Sequence, residues 1–228
     1  MNIKILGTRG EIEESAPYHS KKSGILIDDV LMIDVGDKSF LKHNPKAILI
    51  THLHPDHAYF VRRHKKPDTN VPIYAPEKYD DVDIHVTKKP FKVLVYTITP
   101  IPTVHSLKVK SNAYIIDDGN KKILYTGDMI WINKKYHHRL KNLNLVITEA
   151  SFMRTGGMVR RKDGKIYGHT GVPNLISLFK RFTCMMTFMH FGAWFYKDMQ
   201  KAQKEFKKLA KENGINIIVS YDGLEVNL

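Results

Sequence analysis

The feature that most constrains this chain is a dense group of metal-binding side chains directly after an apolar run. Residues 47–50 form an apolar stretch typical of a strand, and the segment 52–57 follows it with three histidines and an aspartate. Those four residues are His52, His54, Asp56 and His57. Neutral imidazole and carboxylate are ligands that zinc and its first-row neighbours prefer. A chance cluster of surface histidines is the alternative, but the chain has only 12 histidines in 228 residues. The pattern therefore predicts a metal site at a strand end.

Further candidate ligands lie downstream, each after another apolar, strand-like run. His105 follows the run at 93–98, Asp128 follows 121–126, and His190 follows 184–189. Taken alone, a histidine or a Gly-Asp turn after a strand is more often structural. Because they recur in one order, we interpret them as a series that completes the site.

This order of motifs resembles the metallo-β-lactamase superfamily, whose pattern is His-x-His-x-Asp-His, then His, then Asp, then His. The resemblance covers nearly the whole chain, from residues 4–8 through 31–36 to 221–226. It implies an α/β fold, a four-layer αββα sandwich, with two metals bridged by Asp128. The implied ligands of the first metal are His52, His54 and His105. The implied ligands of the second metal are Asp56, His57 and His190.

A second pair of residues narrows the resemblance within the superfamily. Glu149 lies in the segment Glu-Ala-Ser-Phe, and His169 precedes Thr170 before the last metal-binding histidine. This arrangement resembles tRNase Z and related phosphodiesterases, in which the glutamate orients the histidine and the histidine assists the leaving oxygen. General acid catalysis of that kind is worth on the order of a hundredfold or more. The alternative makes Glu149 a stabilising carboxylate at a strand end and His169 a residue at a helix start.

The chain also departs from tRNase Z, which usually carries a long arm that grips tRNA. His105 and Asp128 are 23 positions apart, and a hairpin is expected to fill that step. The sequence therefore predicts no arm, which puts pre-tRNA processing in doubt but not phosphodiester hydrolysis.

The expected function is that of a dinuclear hydrolase, most simply a phosphodiesterase or nuclease acting on RNA, DNA or a cyclic nucleotide. Two adjacent divalent cations lower the pKa of a bridging water, and Asp56 can orient the resulting hydroxide. Zinc is the first choice of metal, and manganese or iron would suit the same ligands. Two alternatives stay open. One is an ester, thioester or lactone hydrolase using Tyr125, Tyr167 or Tyr221. The other is a non-catalytic nucleic-acid-binding module, which a complete ligand set disfavours.

The chain is strongly basic, with 36 Lys and Arg against 23 Asp and Glu and a formal charge of +13. Such an excess favours a polyanionic partner, nucleic acid among them, because displaced counterions favour phosphate binding. Lysines at 197–211 suit the solvated face of a last helix. The glycines of segment 154–165 predict a mobile loop, for which substrate contact and a plain surface role are weighed equally. The candidate substrate-binding residues there are Arg154, Arg160, Arg161 and Lys162. Trp131 and Tyr136 could stack on bases, although buried aromatics are commoner.

Length and composition predict one domain over residues 1–228, because the candidate ligands span most of the chain. No apolar stretch reaches membrane-spanning length, and residues 1–4 resemble a strand rather than a signal peptide. The single cysteine, Cys184, lies in an apolar run and is expected to be a buried thiol. We therefore expect a cytoplasmic protein without membrane association, with a homodimer as a further candidate assembly.

Hydrophobic periodicity gives the expected elements. Strands are expected at 2–8, 24–28, 30–35, 47–51, 72–75, 93–99, 111–117, 121–126, 143–149, 184–189, 215–220 and 224–227. Helices are expected near 56–65, at 172–182 and at 197–213, where Gly214 is a fitting stop.

Overall fold

The computed structural model describes residues 1–63, 66–67, 69–80 and 82–228, and its first sheet is built mainly from the amino-terminal part. The strands of this sheet are β1 (Asn2–Gly7), β2 (Gly24–Ile27), β3 (Leu31–Ile33), β4 (Ala47–Leu49), β5 (Ile73–Ala75), β6 (Ile84–Val86) and β17 (Glu225–Asn227). Their spatial order is β17–β1–β2–β3–β4–β5–β6. β17 adds to the sheet beside β1, so the two ends of the chain lie on adjacent strands.

The second sheet comes from the rest of the chain. Its strands are β7 (Phe91–Val93), β8 (Tyr96–Val104), β9 (Asn112–Asp117), β10 (Lys122–Tyr125), β11 (Trp131–Ile132), β12 (Leu145–Ala150), β15 (Met185–Phe191) and β16 (Asn216–Val219). The order is β11–β8–β9–β10–β12–β15–β16, with β7 also paired to β8. A separate hairpin is formed by β13 (Met158–Lys162) and β14 (Lys165–His169).

Helices cover the outer face of each sheet. The α-helices are α1 (Val172–Phe179), α2 (Ala193–Lys197) and α3 (Met199–Asn213), and they pack on the second sheet. The first sheet carries shorter 3-10 helices at Lys38–His43 and Tyr59–Arg63, and a further one spans Lys134–Leu140. α3 begins where Asp198 accepts a hydrogen bond from the Lys201 N–H at 2.9 Å, and it ends at Gly214 with φ 64°. Both are ordinary helix-capping arrangements.

The core between the two sheets is made of aliphatic and tyrosine side chains. Ile3, Ile5 and Ile25 from the first sheet meet Ile98 and Ile116 from the second, and all are fully buried. β2, β3, β4 and β12 are buried at every position, because one face of each strand meets the other sheet and the opposite face is covered by helices or loops. With helices outside both sheets, the four-layer αββα sandwich is confirmed. Within the described residues, no helix is long and apolar enough to cross a membrane.

Strand direction places the functional residues. β3 to β6 run parallel in the first sheet, and β10, β12, β15 and β16 run parallel in the second. β8 points the same way as β10, because both are antiparallel to β9. The carboxyl ends of these strands therefore meet at one edge of the sandwich, the usual place for a site in sheets of this kind.

Several expected elements differ from the structure. The strand expected at 93–99 is instead a hairpin, because Leu94 adopts a left-handed conformation with φ 53° and the chain turns between β7 and β8. The helix expected near 56–65 is only a 3-10 helix over Tyr59–Arg63, and residues 64–65 lie outside the described part. Cys184, expected to be buried, is exposed, since it precedes β15 rather than lying inside it.

Candidate metal centre

Loops at the carboxyl edge bring candidate ligands from both sheets together. The segment after β4 supplies His52, His54, Asp56 and His57, β8 leads to His105, and β10 leads to Asp128. His190 lies within β15 and has φ 53°, a left-handed conformation that interrupts regular pairing at the strand end. All seven predicted ligands are thus placed at one edge, although their positions along the sequence span 52 to 190.

The first group consists of three imidazoles, those of His52, His54 and His105. One nitrogen of each lies within 4.8 Å of the others, and His105 Nε2 is 3.2 Å from His54 Nδ1. Three imidazole nitrogens at this spacing match the ligand set of many zinc sites.

The second group combines two imidazoles with carboxylates. Asp56, His57, Asp128 and His190 each present a ligand atom within 4.8 Å of the rest. His190 Nε2 lies 3.0 Å from Asp56 Oδ2, and His57 Nε2 lies 3.7 Å from the same oxygen. A mixed nitrogen and oxygen set suits zinc, manganese or iron.

Asp128 lies between the two groups, with one oxygen toward each. Its Oδ1 is 3.3 Å from His57 Nε2 and 3.4 Å from His190 Nε2. Its Oδ2 is 3.8 Å from both His52 Nε2 and His105 Nε2. A carboxylate placed in this way can ligate two ions at once, which is the arrangement the sequence implied for Asp128.

Buried polar atoms that lack hydrogen-bond partners test whether these residues fit metal ions. His52 Nε2, His57 Nε2 and Asp128 Oδ1 are buried, and none makes a hydrogen bond in the described part of the chain. Leaving such atoms unpaired costs about 1–3 kcal/mol each. Because the three atoms converge on the same small volume, bound cations would satisfy them, and the residues fit a metal centre.

Hydrogen bonds behind the ligands fix which ring nitrogen faces the centre. His57 Nδ1 donates to Asp34 Oδ2 at 2.7 Å, and Thr51 Oγ1 donates to the same carboxylate. Because the Thr51 hydroxyl proton is used in this way, His52 Nδ1 donates to Thr51 Oγ1 at 3.1 Å. His105 Nδ1 donates to the Gly168 carbonyl at 3.0 Å. Each of these rings thereby turns a lone pair on Nε2 inward, as ligand histidines usually do.

The supporting role of Asp34 was not predicted from the sequence. It lies just after β3 with φ 59°, is fully buried, and also accepts from the Thr51 backbone N–H at 2.7 Å. The sequence showed only that Asp34 follows an apolar run, and several other polar residues of the chain do so as well.

The electrostatics of the site favour positive charge. Burial opposes protonation of His57, yet the carboxylates of Asp128, Asp34 and Asp56 together raise its pKa well above the ordinary value. A cation that binds the lone pair of His57 Nε2 must therefore displace a proton from it. Burial and neighbouring imidazoles act the other way at the first group. They lower the pKa of His52 far below its usual range and that of His54 to about 4. His52 and His54 are therefore neutral at pH 7 and able to coordinate a metal.

Glu149 and His169 form a pair beside this centre. His169 Nδ1 donates to Glu149 Oε2 at 2.8 Å, and Glu149 Oε1 accepts from the Met129 N–H at 2.7 Å. Burial lowers the pKa of His169, but the Glu149 and Asp128 carboxylates outweigh it and raise that pKa to about 9. Cations bound near Asp128 would act in the opposite direction.

His169 is close enough to Asp128 to be weighed as a ligand itself. Its Nδ1 is 3.9 Å from Asp128 Oδ2, and His105, Asp128 and His169 form a third group of candidate ligand atoms. The hydrogen bond to Glu149 already occupies Nδ1, however, and the side chain is 23% exposed. These two facts favour a role toward substrate over coordination.

The segment that carries His169 is ordered differently from the expectation. The loop predicted over 154–165 is correct only for residues 154–157, which form a turn, and wrong beyond them, because residues 158–169 form the hairpin β13–β14. Asp163 and Gly164, with φ 50° and 71°, make its two-residue turn. An Asp-Gly pair is the usual signal for such a turn. His169 is also not at a helix start, since it ends β14 and α1 begins at Val172.

The four candidate substrate-binding cations lie on or next to this hairpin and are exposed. Arg154 is held locally, with Nε donating to the Gly157 carbonyl at 2.9 Å and its guanidinium over the Phe152 ring. Arg160 donates to Met158 Sδ at 3.2 Å. Arg160, Arg161 and Lys162 all lie on β13. Their contact with substrate stays a prediction.

The remaining candidate residues are more scattered. Tyr125 is buried, with a pKa raised well above normal by burial and by Asp34, and Tyr221 is exposed. Trp131 is partly exposed at the sheet edge, and Tyr136 is packed against the core of the second sheet. The lysines of α3 are exposed, as expected of a solvated face.

Residues 36–191 match the family described as the beta-lactamase superfamily domain. The chain belongs to this superfamily. The match covers all seven candidate ligands together with Glu149 and His169. Membership and the buried cluster of histidines and aspartates together identify a metal-dependent hydrolase.

Solved structures of the same fold support this placement. The metallo-beta-lactamase fold protein YhfI from Bacillus subtilis has a TM-score of 0.73 at 18% identity, covering 99% of this chain and 98% of that chain. A diphosphatase from the PhnP family has a TM-score of 0.70 at 15% identity, covering 100% and 97%. The short form of human tRNase Z has a TM-score of 0.63 at 14% identity, covering 100% and 99%. No curated protein sequence matches the chain.

The step between His105 and Asp128 is short, as expected from the sequence. It holds only the loop at 106–111 and the β9–β10 hairpin. No arm of the kind expected for tRNase Z is inserted at this point of the superfamily fold.

Proposed function

We propose that the chain is a dinuclear metal-dependent phosphodiesterase or nuclease acting on RNA, DNA or a cyclic nucleotide. The observation that carries this proposal is the Glu149–His169 pair, which places a partly exposed imidazole 3.9 Å from the carboxylate shared by both ligand groups. Phosphodiester hydrolysis expels a basic alkoxide, which needs a proton as it leaves. A proton donor beside the metal centre therefore accelerates this reaction more than a reaction whose leaving group is acidic.

The residues that would hold two cations are the ones already described, with Asp128 common to both sites. Two divalent ions bound there would lower the pKa of water and would neutralise charge on the phosphate. Zinc suits the imidazole-rich first group, and zinc, manganese or iron suits the second.

The chain's own residues account for proton movement. Asp56 presents an oxygen 3.0 Å from His190 Nε2 and can take a proton from the attacking water. Burial raises the pKa of Asp56, but the positive field of His57 and its hydrogen bond with His190 more than reverse this, which keeps the carboxylate ionised. An ionised Asp56 can ligate a cation and accept a hydrogen bond from the attacking water across the physiological range.

His169 serves the other end of the reaction. Because Glu149 holds Nδ1, the Nε2 atom is the one that can donate to the leaving oxygen. Glu149 is itself held by the Met129 N–H and is almost fully buried, so it positions His169 without touching substrate. Ser151 Oγ, 3.2 Å from His169 Nδ1 and 3.0 Å from His190 Nδ1, connects this pair to the second ligand group.

A substrate panel tests the proposal directly. The full chain, loaded with zinc or manganese, is assayed on bis(p-nitrophenyl) phosphate, an aryl ester, a thioester and a lactone. We expect the largest rate enhancement over the uncatalysed reaction with the phosphodiester, and loss of that activity in Asp128→Asn. Preference for the ester, thioester or lactone would replace the proposal with the alternative hydrolase. Nucleic-acid binding without any hydrolysis would favour a non-catalytic module.

We further propose one domain over residues 1–228. The pairing of β17 with β1 supports this, because residues from both chain ends complete the same sheet. The ligands that converge at the sandwich edge also come from both sheets.

A further inference from the structure

A cleft of about 830 Å³ opens beside the metal centre at His105. One wall comes from the end of β8 and the loop that follows it, and another from residues around Pro76 and Thr87. The tip of the β13–β14 hairpin, at Gly164, Lys165 and Ile166, forms the far side. The cleft therefore leads from the candidate metal centre toward the hairpin that carries His169.

The cleft is positively charged. Four lysines line it, and all four are exposed: Lys88, Lys108, Lys110 and Lys165. In the described part of the chain none of them makes an ion pair. The acidic lining residue is Glu77, and its carboxylate is engaged because Oε1 accepts from the Lys110 backbone N–H at 2.8 Å. The lysine charges are left available to an anionic ligand.

Between the lysines the lining is mainly apolar, although it also contains threonine, serine and asparagine side chains. Its apolar residues include Pro76, Pro100, Pro102, Val104 and Leu107. Leu107 is 40% exposed and therefore offers an apolar surface inside the cleft. The volume falls within the range of about 300–1,000 Å³ found for small-ligand sites with mostly apolar walls. A ligand that combines anionic groups with apolar parts would match both features of this lining.

The position of the cleft relates it to the reacting phosphate. His105 lies at its inner end, with Nε2 3.2 Å from His54 Nδ1 and 3.8 Å from Asp128 Oδ2. The hairpin is joined to His105 by two hydrogen bonds, the Gly168 N–H donating to the His105 carbonyl at 2.7 Å and His105 Nδ1 donating back at 3.0 Å. A chain that leaves the metal centre past His105 would thus enter the cleft directly.

We propose that this cleft binds the nucleotides of a single-stranded nucleic acid on one side of the scissile phosphate. The inference rests on the proposed phosphodiesterase function and names its substrate class. The lysines contact successive phosphates, while bases lie on the apolar lining around Leu107. Proteins that bind single strands with little sequence preference combine a positively charged groove with side chains on which bases stack, commonly aromatic ones. In this cleft Leu107 and the prolines take that place.

The binding test uses an oligonucleotide that cannot be cleaved, so that it does not depend on catalysis. The full chain is titrated into a fluorescent 2′-O-methyl phosphorothioate strand of about ten nucleotides, and anisotropy is followed at several salt concentrations. The combined variant Lys108→Ala, Lys110→Ala and Lys165→Ala should bind on the order of tenfold more weakly, and its log–log salt slope should fall by about 2, or roughly 0.7 per lost contact.

A matched control separates a local effect from loss of net charge. Lys204→Ala, Lys207→Ala and Lys211→Ala together remove the same charge from the exposed face of α3 and should leave affinity and slope close to wild type. Equal weakening in both triple variants, or none in either, would overturn the proposal. Leu107→Ser should weaken binding of the oligonucleotide but not binding of inorganic tripolyphosphate. Equal effects on the two ligands would contradict a contact between Leu107 and a base.

Parallel arms compare an RNA strand with a DNA strand, since both share the proposed chemistry. The outcome is also distinguishable from failure of the proposed function. If the cleft lysines govern binding but bis(p-nitrophenyl) phosphate is not hydrolysed, the phosphodiesterase proposal fails and the cleft proposal survives. If the small diester is hydrolysed but the cleft lysines do not affect binding, the cleft proposal fails and the phosphodiesterase proposal survives.

Discussion

The carboxylate of Glu149 lies 2.8 Å from His169 Nδ1 and is fixed from behind by the Met129 N–H at 2.7 Å. Glu149 comes from β12 of the second sheet and His169 from the end of the hairpin, so the pair joins two separate elements. This bond leaves His169 Nε2 for substrate, and it also ties the hairpin to the sandwich.

The role of His169 can be tested through the leaving group. His169→Ala should slow hydrolysis of a diester with a poor alkoxide leaving group by about 10²–10⁴-fold, because that oxygen needs a proton as it departs. A nitrophenolate departs without protonation, so its diester should lose far less. The measurement is kcat/KM over a series of leaving groups, whose dependence on leaving-group pKa should steepen in the variant.

The control for this experiment is metal content, which His169→Ala should leave unchanged. Equal loss on both substrates would indicate that His169 is structural. Loss of metal would instead mean that the third group of ligand atoms, with His105 and Asp128, is the one that binds.

The metal content of the full chain is a second test. We expect two divalent ions per chain after desalting, because two groups of ligand atoms flank Asp128. Asp128→Ala should reduce activity by more than about a hundredfold, which exceeds the usual loss on mutating a residue that only hydrogen-bonds to a ligand. The loss should also exceed that caused by removing a ligand that belongs to one group alone. Elemental analysis of wild type and variant decides it. Retention of one ion or none, without gain on adding zinc or manganese, would contradict the dinuclear site.

Gly168 should be essential to the placement of His169. It has φ 120°, and a Cβ at this position would lie 2.1 Å from the Met158 carbonyl oxygen. Gly168→Ala must therefore distort the hairpin, and strain from the backbone angle alone costs about 1–3 kcal/mol. Activity on a poor-leaving-group diester should fall on the order of a hundredfold, as for loss of the acid.

Gly156→Ala is the matched control for that substitution. Gly156 also has a positive φ, 79°, but nothing lies within 4 Å of the added Cβ. Activity and Tm measured together compare the two variants. Similar losses in both would show that backbone strain, rather than displacement of the hairpin, explains the effect.

The cations on the hairpin give a prediction about substrate binding. Neutralising Arg154, Arg160, Arg161 and Lys162 together should weaken binding to single-stranded nucleic acid and lower the log–log salt slope by roughly 0.7 to 0.9 per lost contact. Thermal unfolding should be little affected, because all four side chains are exposed. An unchanged slope would assign these residues to solvent and leave the cleft lysines as the main phosphate contacts.

His19 should contribute to the pH dependence of stability. Its Nδ1 is 3.1 Å from Thr8 Oγ1, and its ring packs on Phe195 with centroids 5.0 Å apart. Burial lowers the pKa of His19, and the nearby Asp222 only partly offsets this. The unfolded chain therefore takes up a proton near pH 6.5 before the folded chain does, so stability falls as pH drops below about 6.5.

His19→Gln should make that fall shallower. Chemical denaturation at about pH 7.5 and at about pH 5.5 gives the free energy of unfolding of wild type and variant, and the difference isolates His19 from the other titrating groups. His138→Gln removes an exposed imidazole and serves as the control. An unchanged pH dependence in His19→Gln would show that this ring is not held neutral.

Much of the architecture follows from local sequence pattern. Apolar runs with turn residues at their ends predict most strands, and the stripe on α3 with Gly214 after it predicts that helix almost to the residue. The local order of His52, His54, Asp56 and His57 was also enough to indicate a metal-binding turn. These signals are short-range, so the sequence alone reveals them.

What depended on the tertiary structure was the pairing of distant segments. Leu94 is an apolar residue in a left-handed turn, so the local sequence does not indicate that the run around it is a hairpin. The many charged residues of 154–165 likewise gave no pattern from which β13 and β14 could be predicted. Asp34 becomes a partner of His57 only because β3 and β4 are neighbours in the sheet. The cleft at His105 likewise forms from three segments that are far apart in sequence. The sequence alone determined which chemical groups are present and, for the metal-ligand candidates, which apolar strand each one follows. Packing of the two sheets, which buries the core only in one arrangement, decided which of those groups meet.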